Sequence, residues 1–519
     1  MTTGTVAPDR SPLTAERESF WHLVHAEWTK FRTVRGWVIA AGVTIVAIAA
    51  FTFIGAGGSS SSCSGAGGGS ACPAQPTGPG GVPVVDAFYF AHQPVAGNGT
   101  ITVQVTSLTG QAPVAPAGSV SDGPPAGPGG LDPWSKAGII IKENTSQGSA
   151  YAAMMVTGSN GVRMQWDYVN DTPGLAGSVS ASAPRWLRLV RAGGTITGYD
   201  SADGTHWTLV GNATLPGLTS TVQAGLFAAG SSDDSNFGTM ATGVFRHIGL
   251  SWPATGWTGT NVGGSANATG VPLPGTLRQS AGTITVASFG DISPAAGNAS
   301  ERGQSLQRAL AGTFFGLIPL IVVAAMFITV EYRRGLIHVS LTAAPRRGRL
   351  LAAKAVVIGA VGFVAGLVAA TLALAIGTHL LRGNLQWPVS LLTEARMVIG
   401  TAALLAVAAV LALAIGTIVR RSAPAVAIVI VVIFVPYLLS FGPLAGQGGT
   451  GSGGWELQIT PVAALSVQQA VPQFHQLIAI YSPNNGYYPL APWAGLAVEC
   501  AWAAAALALA FFLLRRRDA

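Results

Sequence analysis

Residues 310–335 read LAGTFFGLIPLIVVAAMFITVEYRRG: no charged side chain from Leu310 to Val330, then Glu331-Tyr332-Arg333-Arg334-Gly335. Crossing a bilayer core takes roughly 20 apolar residues as a helix, so this stretch reads as a span that exits into a basic edge. Five further runs qualify: Trp37–Ile54, Ala355–His379, Met397–Val419, Ala425–Phe441 and Pro492–Leu514. Gly316, Pro319 and Pro436 interrupt them, which membrane helices tolerate because neighbours re-satisfy the freed backbone groups. The composition agrees. Only 9% of the 519 residues are charged and 49% are hydrophobic, whereas a soluble chain carries about 25% charge.

Lysine and arginine set the expected orientation. Arg10, Arg17, Lys30, Arg32 and Arg35 precede the first span; Arg333, Arg334, Arg346, Arg347, Arg349 and Lys354 separate the second from the third; Arg420 and Arg421 follow the fourth; Arg515, Arg516 and Arg517 follow the sixth. The stretch 442–491 has none, and the other short loop has only Arg382 and Arg396. That asymmetry predicts a multi-pass protein of the cell membrane with both termini cytoplasmic and residues 55–309 outside. The net charge of +7 thus belongs to membrane flanks and argues against nucleic acid. A charged preface of some 35 residues suits a retained signal anchor better than a cleaved signal peptide. Cys63 and Cys72, on the expected outer side, read as a small disulfide loop in preference to two free thiols.

Ahead of the first span, Phe20, Val24, Trp28 and Phe31 recur at helical spacing, with His25, Lys30 and Arg32 elsewhere around the helix. This suits an amphipathic helix in the headgroup plane, either a plain anchor or an interface helix that also touches a partner. Residues 331–354 form a charged hairpin between two spans, with a Pro345-Arg346-Arg347-Gly348 turn.

Between 84 and 250 the text changes to short alternating stretches: Thr100–Thr106, Ala137–Lys142, Tyr151–Val156, Val162–Tyr168, Trp186–Val190, Thr195–Tyr199, His206–Val210, Val222–Phe227 and Val244–Ile248. Strands at this spacing predict an antiparallel sandwich, with Asp203-Gly204 turning a hairpin as a type I′ turn. Residues 57–83 read as a Gly/Ser/Pro-rich linker, and 251–308 as a linker or a partial second β-unit around Gly282–Ile292. The expected fold is therefore an α-helical membrane bundle of six transmembrane helices (37–56 and 309–519) with an all-β extracellular jelly-roll sandwich inserted between helices one and two.

The segments Ala26-Glu27-Trp28-Thr29-Lys30-Phe31-Arg32, Glu331-Tyr332-Arg333-Arg334-Gly335, Pro345-Arg346-Arg347-Gly348-Arg349 with Ala353-Lys354, Thr460-Pro461, and Pro492-Trp493 running to Arg517 resemble, in that order, actinobacterial ABC-2 type permeases. The resemblance covers about 19–56 and 309–519; the long first outer loop departs from the family's usual pattern. It implies a permease of an exporter, pairing as a homodimer or heterodimer, with ATP and Mg on a separate ATPase subunit. Coupling would fall to Glu27, Lys30, Arg32, Glu331, Tyr332, Arg333, Arg334, Gly335, Pro345, Arg346 and Arg347. No G-x-x-x-x-G-K-[ST] phosphate loop occurs in the chain, and no catalytic residue, metal site or cofactor is expected.

Residues 84–250 resemble a concanavalin A-like lectin/glucanase jelly roll through Trp134–Glu143, Trp186–Arg191 and the S-x-D-G-x-x-W hairpin Ser201–Trp207. Trp134, Trp166 and Trp207 could stack on cell-wall glycan, although core packing suits Trp166 and Trp207 better. Asp200, Asp203, Asp233 and Asp234 lack EF-hand spacing, and Glu143 and Asp167 are not a recognisable glycosidase pair. Glu499 lies within the last span, about 24 Å along the helix from Arg515, an intramembrane acid and so a functional candidate; hydration near the outer interface would equally explain it. The competing reading of the whole chain is a membrane-anchored glycan-binding or sensing module without transport. A glycoside hydrolase with an anchor would need one helix, not six.

Overall fold

The computed structural model describes residues 20–57, 76–111, 130–230, 239–264, 275–295, 305–335, 347–381, 387–439, 455–477 and 487–516. Among them, seven long helices form one part: α1 (Phe20–Thr33), α2 (Arg35–Gly57), α3 (Thr313–Arg333), α4 (Arg347–Leu380), α5 (Leu391–Val419), α6 (Ser422–Leu439) and α7 (Pro492–Arg516). Of these, α2 to α7 are long and apolar enough to cross a membrane. Between α2 and α3 in the chain lie sixteen described strands.

Small residues set the helix spacing. A Cβ on Gly312, just before α3, or on Gly316 within it would run into Ile48 of α2, one on Gly362 of α4 would meet Leu405 and Ala406 of α5, and one on Gly366 would meet Ala402 and Leu405. Backbones can therefore approach closely, the usual device where apolar surface alone does not drive association. The Thr52 hydroxyl turns inward with its one proton between two carbonyls, that of Ile48 in the preceding turn (2.8 Å) and that of Ala309 at the entry of α3 (2.6 Å), which links α2 to α3. A 3-10 helix, Pro461–Gln468, is buried along its whole length and packs against α5 and α7. Gln468 crosslinks it to Thr313 of α3 (2.9 Å) and Thr401 of α5 (3.1 Å).

The strands make two seven-stranded antiparallel sheets and a ribbon. The front sheet runs β13 (Thr258–Val262), β2 (Phe88–Ala96), β11 (Thr221–Ala229), β4 (Lys136–Lys142), β5 (Tyr151–Thr157), β6 (Val162–Trp166), β7 (Asn170–Pro173). The back sheet runs β10 (Thr208–Thr214), β9 (Thr195–Ser201), β8 (Arg185–Ala192), β3 (Gly99–Gln111), β12 (Met240–Leu250), β15 (Thr283–Ser288), β14 (Thr276–Ser280). Alternating side chains such as Ile101, Val103, Val105, Leu187 and Leu189 fill the space between them, the period-2 pattern that a sandwich requires. A second apolar cluster, with Phe88, Phe90, Ile140 and Phe227, lies on the far side of the front sheet together with Val84 and Ile292 of the ribbon. That ribbon pairs β1 (Val84–Asp86) with β16 (Ile292–Pro294), so the sandwich begins and ends on adjacent strands.

Three expectations are corrected. The sandwich does not end at 250: β13, β14 and β15 belong to its two sheets and β16 closes the ribbon, because the Thr-rich run after 257 alternates weakly yet still pairs. The Thr195–Val210 hairpin has no two-residue type I′ turn. Pairing stops at Asp200↔Thr208, Gly204 has φ +77° while Asp203 is absent from the positive-φ residues, and Ser201 and Asp203 side chains accept the loop's backbone N–H groups. Such side-chain turns support a wider loop than the dipeptide implies. Finally, the strand expected over Val162–Tyr168 ends at Trp166, since Asp167 and Tyr168 both have positive φ (46° and 69°). A tyrosine there is strained, and its buried hydroxyl, donating to Asp86 at 2.7 Å, holds it.

Candidate functional site

The amphipathic helix α1 is not a free surface helix. Glu27 and Phe31 are buried; Phe31 sits among Trp28, Trp37 and Phe327, while Trp21 and Trp28 stay exposed. Burying Glu27 demands a cation. Lys354 on α4, 0% exposed, donates to Glu27 Oε2 (2.6 Å) and to Glu331 Oε1 at the end of α3 (2.8 Å). Lys30 donates to Glu27 Oε1 (2.6 Å) and Glu331 Oε1 (3.3 Å). Two acids and two bases thus form a neutral square joining α1, α3 and α4, with the Lys354 ammonium 4.7 Å from the Phe327 ring centroid. Burial pulls the Lys30 ammonium down, but Glu27 and Glu331 more than offset this and leave it raised. Glu331 Oε2 is buried and has no partner among the described residues.

Around the square, Arg420, in the left-handed conformation after α5 (φ 62°), lies over Tyr332 at 5.1 Å. Arg347 donates to the Leu514 carbonyl of α7 (2.8 Å). Every spanning helix but α6 therefore meets at this end of the bundle, and α6 joins through Ser422, whose hydroxyl is 2.7 Å from that of Thr329. Such an arrangement can pass a displacement of α1 or of the α3–α4 connection to the whole bundle, because rigid elements are linked by polar contacts that cannot be broken cheaply.

Of the expected coupling residues, the structure brings together Glu27, Lys30 and Glu331, with Tyr332 and Arg347 adjacent. Arg32, Arg333, Arg334 and Gly335 are exposed, and Pro345 and Arg346 lie outside the described residues, as do Cys63 and Cys72. Lys354, the shared cation, ends the 331–354 hairpin and the Ala353-Lys354 motif of the sequence but was not among the expected coupling residues. Glu499 is buried in α7, at 2% exposure, with Oε2 unpartnered among the described residues. One turn before it, Gly495 packs on the Ala463 carbonyl of the 3-10 helix.

In the sandwich, the three tryptophans do not converge. Trp134 is buried beneath Arg163 (5.5 Å), Trp166 packs on the inter-sheet core, and Trp207 lies under the Arg188 guanidinium (3.7 Å) on the back sheet. Two buried ion pairs were not visible in the sequence: Lys142–Asp86 and Lys136–Asp291, each 2.8 Å. Both lysines come from β4 and both acids flank the ribbon. Burial lowers Lys142, opposed by Asp86. The sandwich also touches the helical part: Gln476 donates to the Tyr168 and Val169 carbonyls (3.2 Å each), and Val82 packs near Trp387, Val471 and Tyr487.

Asp200 is buried and accepts from the Leu175 N–H (2.6 Å), Asp203 is taken up by its loop, and Asp233 and Asp234 lie outside the described residues. Among the described residues, no group of three metal-ligating side chains is present. His206 hydrogen-bonds Asp203 (2.6 Å), which holds the carboxyl well below its usual range and raises the imidazole. A raised histidine contributes stability below its unfolded value of about 6.5 that fades as pH passes the folded value. A depressed aspartate contributes above about 3.9 and is lost as pH falls. An NMR titration is expected to place His206 above about 6.5, the unperturbed value, returning toward it in Asp203→Asn; an unshifted wild-type midpoint would refute the pair.

A family model described as ABC-2 family transporter protein matches residues 168–519. No curated protein matches the sequence. Among solved structures, the chain is similar to scytalido-glutamic peptidase with a transition-state analog inhibitor (8% identity over 39% of this chain and 98% of that one, TM-score 0.25). It is also similar to a functionally unknown protein from Saccharomyces cerevisiae (15% identity, 35% and 84%, TM-score 0.22). Likeness at this level carries nothing about chemistry.

Proposed function

Because this chain belongs to the ABC-2 family of transporter proteins and is a membrane protein with six helices of spanning length, we propose that it is the permease subunit of an exporter driven by a separate ATPase. The observation that carries the coupling role is the Glu27–Lys30–Glu331–Lys354 square. It ties the helix preceding the first span to the end of the second and the start of the third, and its shared buried cation lets none of the three move alone. Lysine and arginine distribution supports a cytoplasmic location for this end, with the sandwich outside and both termini inside. The ATPase would press on α1 and on residues 331–347, and the square would make those two surfaces move as one. Pairing with a second permease follows the family habit.

A pull-down of the tagged full chain in detergent, with mass spectrometry of what accompanies it, tests this reading. A stoichiometric ATPase subunit is the expected result. Reproducible absence of one, from membranes where the chain is intact, would overturn it.

A further inference from the structure

Glu499 takes no part in the coupling square. It is the one charged residue from Pro492 to Leu514, and its spacing of four places it in one column of α7 with Gly495 and Ala503, all three buried. Its Oε2 has no partner among the described residues. The column lies against an irregular segment. Ser466 donates to the Pro492 carbonyl (3.1 Å), a Cβ on Gly495 would run into the Ala463 carbonyl and the Ser466 hydroxyl, and Trp502 donates to the Ile459 carbonyl (2.8 Å). These contacts pair the two stretches in opposite order, so 459–466 runs antiparallel to α7. Trp502 lies about 15 Å along α7 from Pro492, so the segment reaches well into the depth of that span. Glu499, between Gly495 and Trp502, falls beside the place where its backbone breaks. A four-residue helix, Glu456–Ile459, stops there, Thr460 is extended (φ −100°, ψ 163°), and the 3-10 helix starts at Pro461, which has no N–H to donate.

We propose that Glu499 and the break at Thr460-Pro461 form a site for a small monovalent cation. A buried carboxylate needs a counter-charge. No ion pair among the described residues includes Glu499. On the helices packed against α7, Arg396 donates to the Gln469 carbonyl, Arg347 to the Leu514 carbonyl, and Lys354 belongs to the square. Non-helical backbone at membrane depth is tolerated where it is packed in protein or lines a site. Unwound segments there supply the carbonyl oxygens that a cation takes in place of water. One acid sets the valence: neither 457–468 nor the rest of α7 holds another, whereas divalent ions gather several carboxylate oxygens. The close approach at Gly495 favours a small group over a bulky one. An alkali ion and the primary ammonium end of an organic ligand share this chemistry. The inference does not rest on the transport reading, since binding a cation needs no ATPase.

The test is labelling of the detergent-solubilised full chain with dicyclohexylcarbodiimide, which reaches carboxyl groups from the apolar phase. Sodium, methylammonium and tetraethylammonium chloride are compared at one pH and about 100 mM, so that screening is equal, and peptide mass spectrometry reads Glu499. Sodium or methylammonium is expected to slow labelling at least about tenfold relative to tetraethylammonium, as a cation near ten times its Kd would. Protection by sodium alone supports an inorganic ion, and protection by methylammonium alone supports an ammonium ligand. The protecting cation is also expected to raise the thermal midpoint of wild type and of Glu394→Gln but not of Glu499→Gln. Equal labelling in all three salts would show a carboxyl that holds nothing but a proton and would overturn the proposal. So would a midpoint shift that Glu499→Gln shares with wild type. If the reagent labels Glu499 in none of the salts, the midpoints decide alone.

Discussion

Lys354→Met is expected to uncouple the helical part while leaving the chain inserted. The substitution removes the fully buried cation shared by Glu27 and Glu331. Breaking a buried pair from one side costs about 3–5 kcal/mol; the lower end applies, because Lys30 still reaches both acids. Two carboxylates left sharing one half-exposed lysine would push α1 away from α3 and α4. Hydrogen exchange should then show α1 opening at least tenfold more often, and stimulation of ATP turnover by the partner subunit should fall at least tenfold. Adding Glu331→Gln alone removes the one uncompensated charge, leaving Lys30 paired with Glu27, and is expected to restore α1 protection without restoring stimulation. Lys354→Met with α1 protection and ATP turnover within twofold of wild type would refute the coupling role.

Asp86→Asn is the second large effect. Asp86 Oδ2 accepts from Lys142 (2.8 Å), Tyr168 (2.7 Å) and the Gly148 N–H (2.8 Å). Without it a fully buried ammonium keeps only the Ser149 carbonyl and the Tyr168 hydroxyl (3.1 Å each) and has no counter-ion, and the sandwich is expected to lose about 3–5 kcal/mol, read as a lowered thermal midpoint of its tryptophan signal. Burial already lowers Lys142 in the intact protein. With its chief opponent gone, the folded lysine binds fewer protons than the unfolded one, so the stability of the variant should rise as pH rises toward the unfolded value of about 10.4. Lys142→Met in the same chain should recover part of the loss. A midpoint unchanged in Asp86→Asn would show that the pair does not stabilise the sandwich.

The six spans were legible because lipid-facing helices need little more than apolar length, and that is a property of consecutive residues. Their ends were less so. α4 begins at Arg347, well before the apolar run suggested, and α5 begins at Leu391, capped by the Ser390 hydroxyl accepting from Thr393. Basic and capping residues belong to those helices but not to their hydropathy. Most of the sandwich was visible in its alternation, whereas the edge strands β13 and β14 were not, since Thr, Gly and Asn there read equally as linker, and β15, read only as part of a partial second β-unit, pairs inside the back sheet. Hidden most completely were the partnerships. Lys354 meets acids 327 and 23 residues away, and Lys136 and Lys142 find theirs on a ribbon made of the two ends of the domain. Two lysines on one face of an otherwise apolar strand were the available signal; alternation places them together but names no partner.

The ribbon has a mechanical consequence. Val84 and Pro294 are direct neighbours on β1 and β16, so chain arrives at the sandwich and leaves it at a single point. A pull transmitted along the chain enters there and loads β1 and β16 side by side, with Lys142 and Lys136 as two pegs resisting shear against the front sheet. Cutting the domain out at that point would leave its flanks in register, ready to be rejoined by a short turn. The helical scaffold can therefore carry or lack this attachment without any helix having to change its place.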